Sequence, residues 1–294
     1  MNASTKTTRF VPALALAEGA GVTVHRTIGT PSLRNYDPFM MLDHFSSDNP
    51  DDYIAGFPSH PHRGFNTFTY MIDGRMEHKD SMGNTGNLGP GSAQWMKAAS
   101  GIIHSEMPKQ EAGLMRGFQL WINLPAANKM DDPEYQEYPA DEFPLVKTEA
   151  YHLKVVVGEY GDAASPIVDE LTKVAYFDVE VKAGQHFQYQ SLASHNSFLY
   201  IFEGSGQLNG KRAPEHTLVA LGDTDKAIDF VADDKGARFI FISGQPINES
   251  IVQYGPFVMN SREEIDQAMS DYQSNNFVRK RAWIKAAKKS GVKS

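Results

Sequence analysis

A chain of 294 residues with 41% hydrophobic and 22% charged residues is long enough for two buried cores and too ordinary in composition to be disordered or fibrous. It has no cysteine, which excludes disulfides and thiolate-held metals and leaves any metal to histidine, carboxylate or water. The formal charge is −8, and no apolar run approaches the ~18 residues of a membrane span, so a soluble and, by default, cytoplasmic protein is expected.

Taken in chain order, FVPALALAEGAG (10–21) follows Lys6 and Arg9 as a leader peptide would, but Pro12 interrupts it and no small-residue cleavage box follows. It reads as a first strand and turn. FPSHPHRGFNT (57–67) sets His60 and His62 two apart. In an extended strand residues i and i+2 point the same way, so the pair could grip one ion. Ten histidines in this length give roughly 0.3 such pairs by chance, so spacing alone favours two surface histidines. FNTFTYMIDG (65–74) is a clear strand, and His78 in MEHKDSMGNTG reads as a turn histidine paired with Asp80 rather than as the orienter of a ligand. WMKAASGIIHSEMP (95–108) repeats the i, i+2 geometry with His104 and Glu106 after a turn at Gly101. Two strands would then offer two ligands each to a shared point. Neutral imidazoles with one carboxylate suit Fe(II), Mn, Ni, Cu or Zn and disfavour the all-oxygen sites of Mg and Ca.

GFQLWINL (117–124) puts Gln119 and Trp121 on one strand face and Phe118, Leu120 and Ile122 on the other, without deciding which looks inward. Trp95 and Trp121 read as wall packing and His44 as structural. The acidic, Pro-rich stretch 123–144 reads as a link between two halves. Beyond it LKVVVGEYG, VAYFDVEV, SFLYIFEG and RFIFISG continue the short-strand rhythm, which argues for sheets closed into sandwiches or barrels. Setting Gly74 over Gly204 matches Asn66 to Asn196, Phe68 to Phe198 and Tyr70 to Tyr200, a weak domain-sized repeat. In that alignment Gln190 and Leu192 replace His60 and His62, and the region of Asp234 and Gly236 replaces that of His104 and Glu106. Neither His186 nor His195 restores a pair, so the second half is expected to be metal-free. SREEIDQAMSDYQ (261–273) predicts a capped helix, with Ser261 and Glu264 as the capping box and Ile265, Ala268, Met269 and Tyr272 on one face. From Arg279 to Lys293 there are seven basic residues and no acidic one, read as a solvated or body-packed tail rather than a DNA-reading element.

These blocks carry a family resemblance. HPHRGFNTFTY, GPGSAQWMKAASGIIHSEMP, FQLWINLP, DPFMMLDHF and GQPINESIVQYGPFVMN resemble the signature blocks of the pirin family of the cupin superfamily, from Arg26 to about Phe277. The resemblance implies an all-β bicupin, two tandem antiparallel β-barrels of jelly-roll type with a C-terminal helix. It divides the chain into an N-terminal cupin barrel with a metal site (1–130), a linker (131–145), a C-terminal cupin barrel without metal (146–260), and a helix with a basic tail (261–294). It also implies one divalent transition metal, Fe(II) foremost with Zn, Cu, Mn, Ni or Co as alternatives, held by His60, His62, His104 and Glu106.

Bacterial-type pirins are associated with quercetin 2,3-dioxygenase activity. The expected function is therefore metal-dependent cleavage of a small aromatic, flavonol-like (quercetin-like) substrate by O2, with Glu106 as the catalytic base. The alternative is a non-catalytic metal-binding module, a regulator of transcription or metabolism that acts through a protein partner. Asn66 stands where the family often has Glu; it is not one of the four ligands, so coordination is expected to survive while outer hydrogen bonding differs. No specific nucleic-acid binding and no membrane association are expected.

Overall fold

Runs of β-branched and aromatic residues broken by Gly, Asn and Asp turns become antiparallel strands, because each run is too short for a stable helix and its alternate side chains can be buried on a sheet face. The computed structural model describes residues 7–223, 226–280 and 284–286. In the first half, Leu14–Glu18, Val22–Arg26, Phe39–Ser47, Met115–Asn123, Phe65–Asp73, Ala93–Lys97, Glu134–Tyr138 and Ile284–Ala286 lie side by side in that order. A four-stranded sheet accompanies them, ordered Phe57–His62, Ile102–Pro108, Met76–Asp80 and Thr85–Leu88. Neighbours that are not consecutive in the chain give this unit its jelly-roll character. In the second half one nine-stranded sheet is built on Asn196–Leu208 and Ala227–Gly244, whose mutual register shifts between Ile201 and Glu203 and again between Gly204 and Gly206. These bulges bend both strands, so one sheet can supply more than one wall. The protein is a bicupin whose jelly-roll-like sheets are not fully closed cylinders.

The halves exchange edges. Arg9–Pro12 pairs with Thr217–Ala220 of the second sheet, whereas Leu14–Glu18 belongs to the first. Within the stretch read as a linker, Glu134–Tyr138 pairs with Ala93–Lys97, and Ile284–Ala286 runs parallel beside it. The rest of the tail beyond Lys280 lies outside the described residues.

The two strands matched by the repeat contribute to one core between the halves. Phe68, Tyr70 and Ile72 from one, and Phe198, Tyr200 and Phe202 from the other, join Phe118, Leu120, Ile122, Ile240 and Ile242 there. Phe68 lies 5.0 Å from Tyr176, Phe118 lies 5.1 Å from Phe202, and the Tyr70 hydroxyl donates to Asp178 at 2.7 Å. Trp95, 5.7 Å from Phe68, is packing in this seam, as its strand pattern suggests.

The helix forms as expected over Arg262–Gln273, with the Ser261–Glu264 capping box present and Ile265 and Ala268 buried. Tyr272, expected on the buried face, is exposed and touches Phe257 and Phe277 by its ring edge. Among the described residues no helix is long and apolar enough to cross a membrane.

Candidate metal centre

His60 and His62 lie on Phe57–His62, and His104 and Glu106 on the adjacent strand Ile102–Pro108, where antiparallel register sets His104 opposite His60. The register shifts between His104 and Glu106. One ring nitrogen from each of the three histidines lies within 4.8 Å of the others, and His60 Nε2 is 3.0 Å from His62 Nε2. That separation is close to the edge of a coordination shell with bonds of about 2.0–2.1 Å. Glu106 lies outside this close triplet; it is buried and lines the same cavity as His60 and His62. Its Oε1 is 3.1 Å from the Thr69 hydroxyl and its Oε2 accepts from Gln119 Nε2 at 3.3 Å. Thr69 also approaches Gln119 Oε1 at 2.7 Å.

Tautomers favour coordination. His60 Nδ1–H donates to the Pro58 carbonyl at 2.7 Å, which leaves Nε2 bare. His104 Nδ1 is 2.9 Å from His78 Nε2, and His104 Nε2, fully buried, has no hydrogen-bond partner. Donation from His104 to His78 leaves a lone pair on that orphaned nitrogen, so a Lewis acid would satisfy an atom that protein groups do not. Burial, and then the neighbouring imidazoles, hold His62 and His104 well below the ordinary histidine range, so both are neutral at pH 7. Burial pushes Glu106 above its ordinary range, partly offset by His60, Thr69 and Gln119.

His78 is therefore not the turn histidine expected from its surroundings. It lies within Met76–Asp80, buried beside His104, and burial lowers it to about 4. Asp80 instead accepts from the backbone N–H groups of Met82 and Asn84 and from Tyr135.

The undecided strand face is resolved: Gln119 and Trp121 line the cavity, while Phe118, Leu120 and Ile122 enter the seam. Trp121 meets His62 edge-on at 5.1 Å. Thr69 joins Gln119 and Trp121 on the cavity side, where strand alternation puts it opposite Phe68 and Tyr70. Asn66 is buried but does not line the cavity.

The residues after the histidine pair anchor it. Arg63, 1% exposed, donates to the Ser100 carbonyl at 2.6 Å, to Asp271 of the helix at 2.7 Å and to the Phe277 carbonyl at 3.2 Å. Gly64 has φ +91°, and a side chain there would collide with the Val258 carbonyl, so the close approach of Phe257–Met259 requires glycine. Lys129 bridges the Gly64 and Val258 carbonyls at 2.7 and 2.9 Å.

In the second half, His186 is exposed beside Asp229, and His195 is buried 3.4 Å from Ser243. Among the described residues no group of three metal donors occupies that half's interior.

The cavity over the centre has a volume of about 1100 Å³ and includes Met41, Phe45, Phe57, Met76, Trp121 and Ile251 in its apolar lining. Fold and cavity together define a bicupin with a histidine-rich pocket in its first unit. The pirin model matches residues 21–122 and the model of the pirin C-terminal cupin domain matches residues 176–278. The chain is 46% identical over 264 residues to a Pseudomonas aeruginosa protein provisionally named quercetin 2,3-dioxygenase, covering 87% of this chain and 92% of that one. It is 38% identical over 291 residues to human pirin, covering 96% and 98% respectively. A solved structure of quercetin 2,3-dioxygenase from Acinetobacter baumannii superposes with a TM-score of 0.85 at 30% identity, covering 94% of this chain and 99% of that one. The bacterial pirin YhhW from Escherichia coli, in complex with nickel(II), shares the fold at a TM-score of 0.65 and 18% identity, covering 82% and 99%. The chain belongs to the pirin family.

Proposed function

We propose that His60, His62, His104 and Glu106 hold one divalent transition metal, Fe(II) being the favoured ion, and that the chain is a dioxygenase cleaving flavonol-type substrates with O2 and loss of CO. The observation that carries this reading is a cluster of three imidazoles, two of which, His60 and His62, line with Glu106 a largely apolar cavity of about 1100 Å³, roomy enough for a three-ring polyphenol. When bound, the ion supplies a Lewis acid that acidifies an enolic hydroxyl and a redox centre for O2 chemistry. Three neutral imidazoles and one carboxylate leave a divalent ion net positive, which favours an enolate over the neutral enol.

Glu106 is the only anionic member of the set and takes the enolic proton. Thr69 and Gln119 hold its two oxygens, fixing the carboxylate's direction during that transfer. Trp121, Phe45 and Met41 give the aromatic rings an apolar wall that excludes water. The names carried by the Pseudomonas and Acinetobacter relatives support the substrate class, and the nickel(II) complex of YhhW supports a metal in this fold.

The test is reconstitution of the metal-free protein with Fe(II) under argon, followed by quercetin and O2, with O2 uptake and CO release measured. Glu106→Gln should keep part of the metal and lose about 100-fold or more in turnover per bound ion. A parent protein that consumes no O2 with any restored divalent metal would sink the catalytic reading and leave the alternative, a metal-binding module acting through a protein partner.

A further inference from the structure

A second group of three histidines lies outside this cavity, at the seam between the halves. His25 and His44 are directly paired across Val22–Arg26 and Phe39–Ser47 of the first sheet, and His216 stands just before Thr217–Ala220 of the second. One ring nitrogen from each lies within 4.8 Å of the others. The Tyr200 hydroxyl sits among them, 3.2 Å from Nδ1 of both His44 and His216. We propose that this hub is a second metal site, selective for an imidazole-preferring divalent ion such as Zn(II), with His25, His44 and His216 as ligands.

Bonds of about 2.0–2.1 Å at tetrahedral angles set ligand atoms about 3.4 Å apart, a spacing that small ring movements can reach from nitrogens already within 4.8 Å of one another. Burial lowers all three histidines, most of all His44, so each is neutral near pH 7 with a lone pair to offer. The hydrogen bonding is also incomplete. A phenol has one proton and can donate to only one of the two nitrogens beside it, and His44 Nε2, in a ring 1% exposed, has no partner at all. With the proton on that unpartnered Nε2, His44 Nδ1 keeps its lone pair on the side of Tyr200 and can ligate without the ring turning. His25 and His216 are stacked face to face at 4.1 Å and 1°, and parallel rings do not aim lone pairs at one point, so one must turn to coordinate. Both are only partly buried, which leaves room for the turn and a path for the ion. With no carboxylate in the set, Mg and Ca are excluded in favour of Zn, Ni or Cu.

This site is separate from the first. His44 stacks on Phe118 at 4.8 Å, whereas the next residue, Gln119, points the other way and holds Glu106. It is also not the interior of the second barrel, since two of its ligands come from the first sheet. An ion here would join the halves and stabilise the folded chain by mass action.

The test is dialysis of the full-length protein against Zn(II), desalting to remove weakly held ions, and measurement of metal per chain. His216 has φ +56°, a conformation Asn tolerates better than Ala, so His216→Asn removes the imidazole with least strain. The parent should retain about two equivalents, His62→Ala and His216→Asn about one each, and the double variant about none, since each removes one ligand set. Zn(II) should raise the melting temperature of His62→Ala but not of the double variant, a response that a purely packing role for His216 would not produce. Two equivalents in His216→Asn, or a single parental equivalent that His62→Ala removes completely, would overturn the proposal. Retention of both equivalents in His62→Ala would instead count against the first centre.

Discussion

In the first half Thr69 faces Gln119 across the ladder between Phe65–Asp73 and Met115–Asn123, and the corresponding ladder of the second half sets Leu199 opposite Phe241. The outward residues of the two ladders are alike, Tyr70 against Phe118 and Tyr200 against Ile240, and all four enter the shared seam. Only the inward residues diverge. Where the first unit turns a hydroxyl and an amide toward Glu106, the second packs Phe177, Phe187, Phe239 and Phe241 into a continuous apolar core, with Phe177 and Phe241 stacked at 5.5 Å. Each such ring contributes about 1.5–3 kcal/mol by burial, stability that the cavity-bearing unit gives up. The difference teaches that one unit of the pair is filled for rigidity and the other left open around polar groups, joined by a seam common to both.

The most direct way to break that contrast is to give the first unit the second unit's inward residues. Thr69→Leu with Gln119→Phe should weaken metal binding about 10–100-fold, because Glu106 loses the groups that orient it, and should reduce turnover further. Calorimetric metal titration beside O2 uptake would measure both; unchanged affinity would mean that Glu106 needs no help from Thr69 or Gln119. Next in size is Asp271→Ala, which strands the buried Arg63 guanidinium and should cost about 3–5 kcal/mol in urea unfolding. A loss below about 1 kcal/mol would show that the Ser100 and Phe277 carbonyls suffice to hold it. The reciprocal exchange, Leu199→Thr, removes apolar burial and leaves a hydroxyl in a hydrocarbon core, an expected cost of about 2–3 kcal/mol with no gain in bound metal.

Counted per histidine and per pH unit, the smallest effect comes from acid, although it accumulates over several groups. The four most strongly lowered histidines, His44, His62, His104 and His78, all belong to the first half, and His78 lies at about 4. Below pH 6.5 the unfolded chain binds protons that the folded chain refuses. Stability therefore falls as pH falls, by about 1.4 kcal/mol per pH unit for each such histidine until its folded value is reached. Hydrogen exchange between pH 7 and 5 on the metal-free protein should show the first half opening before the second. Equal loss of protection in both would show that the seam makes them one cooperative unit.

Much of this contrast was legible in the sequence. Strand alternation, the helix cap and the repeat that matches Phe68 and Tyr70 to Phe198 and Tyr200 are local patterns, and they gave the β architecture and the matched strands. Of the residues in the two histidine-bearing motifs, the fold packs His60, His62 and His104 together and sets Glu106 against Thr69 and Gln119. What escaped depended on register between distant segments. Thr69 reaches Glu106 across 37 residues and His44 reaches Tyr200 across 156, and no periodicity encodes either meeting. His78 was misread because Asp80 is its neighbour in sequence, whereas its partner in space is on the next strand.

The link between Arg63 and Asp271 spans 208 positions. A growing polypeptide carries His60 and His62 long before the helix that bears Asp271 has been made, so the loop after the pair has neither its counter-charge nor its cover during that interval. The strand that bears the pair can find its partner Ile102–Pro108 early, but the loop behind it is locked only when the helix docks, so a chain interrupted before the helix leaves the end of that strand untethered.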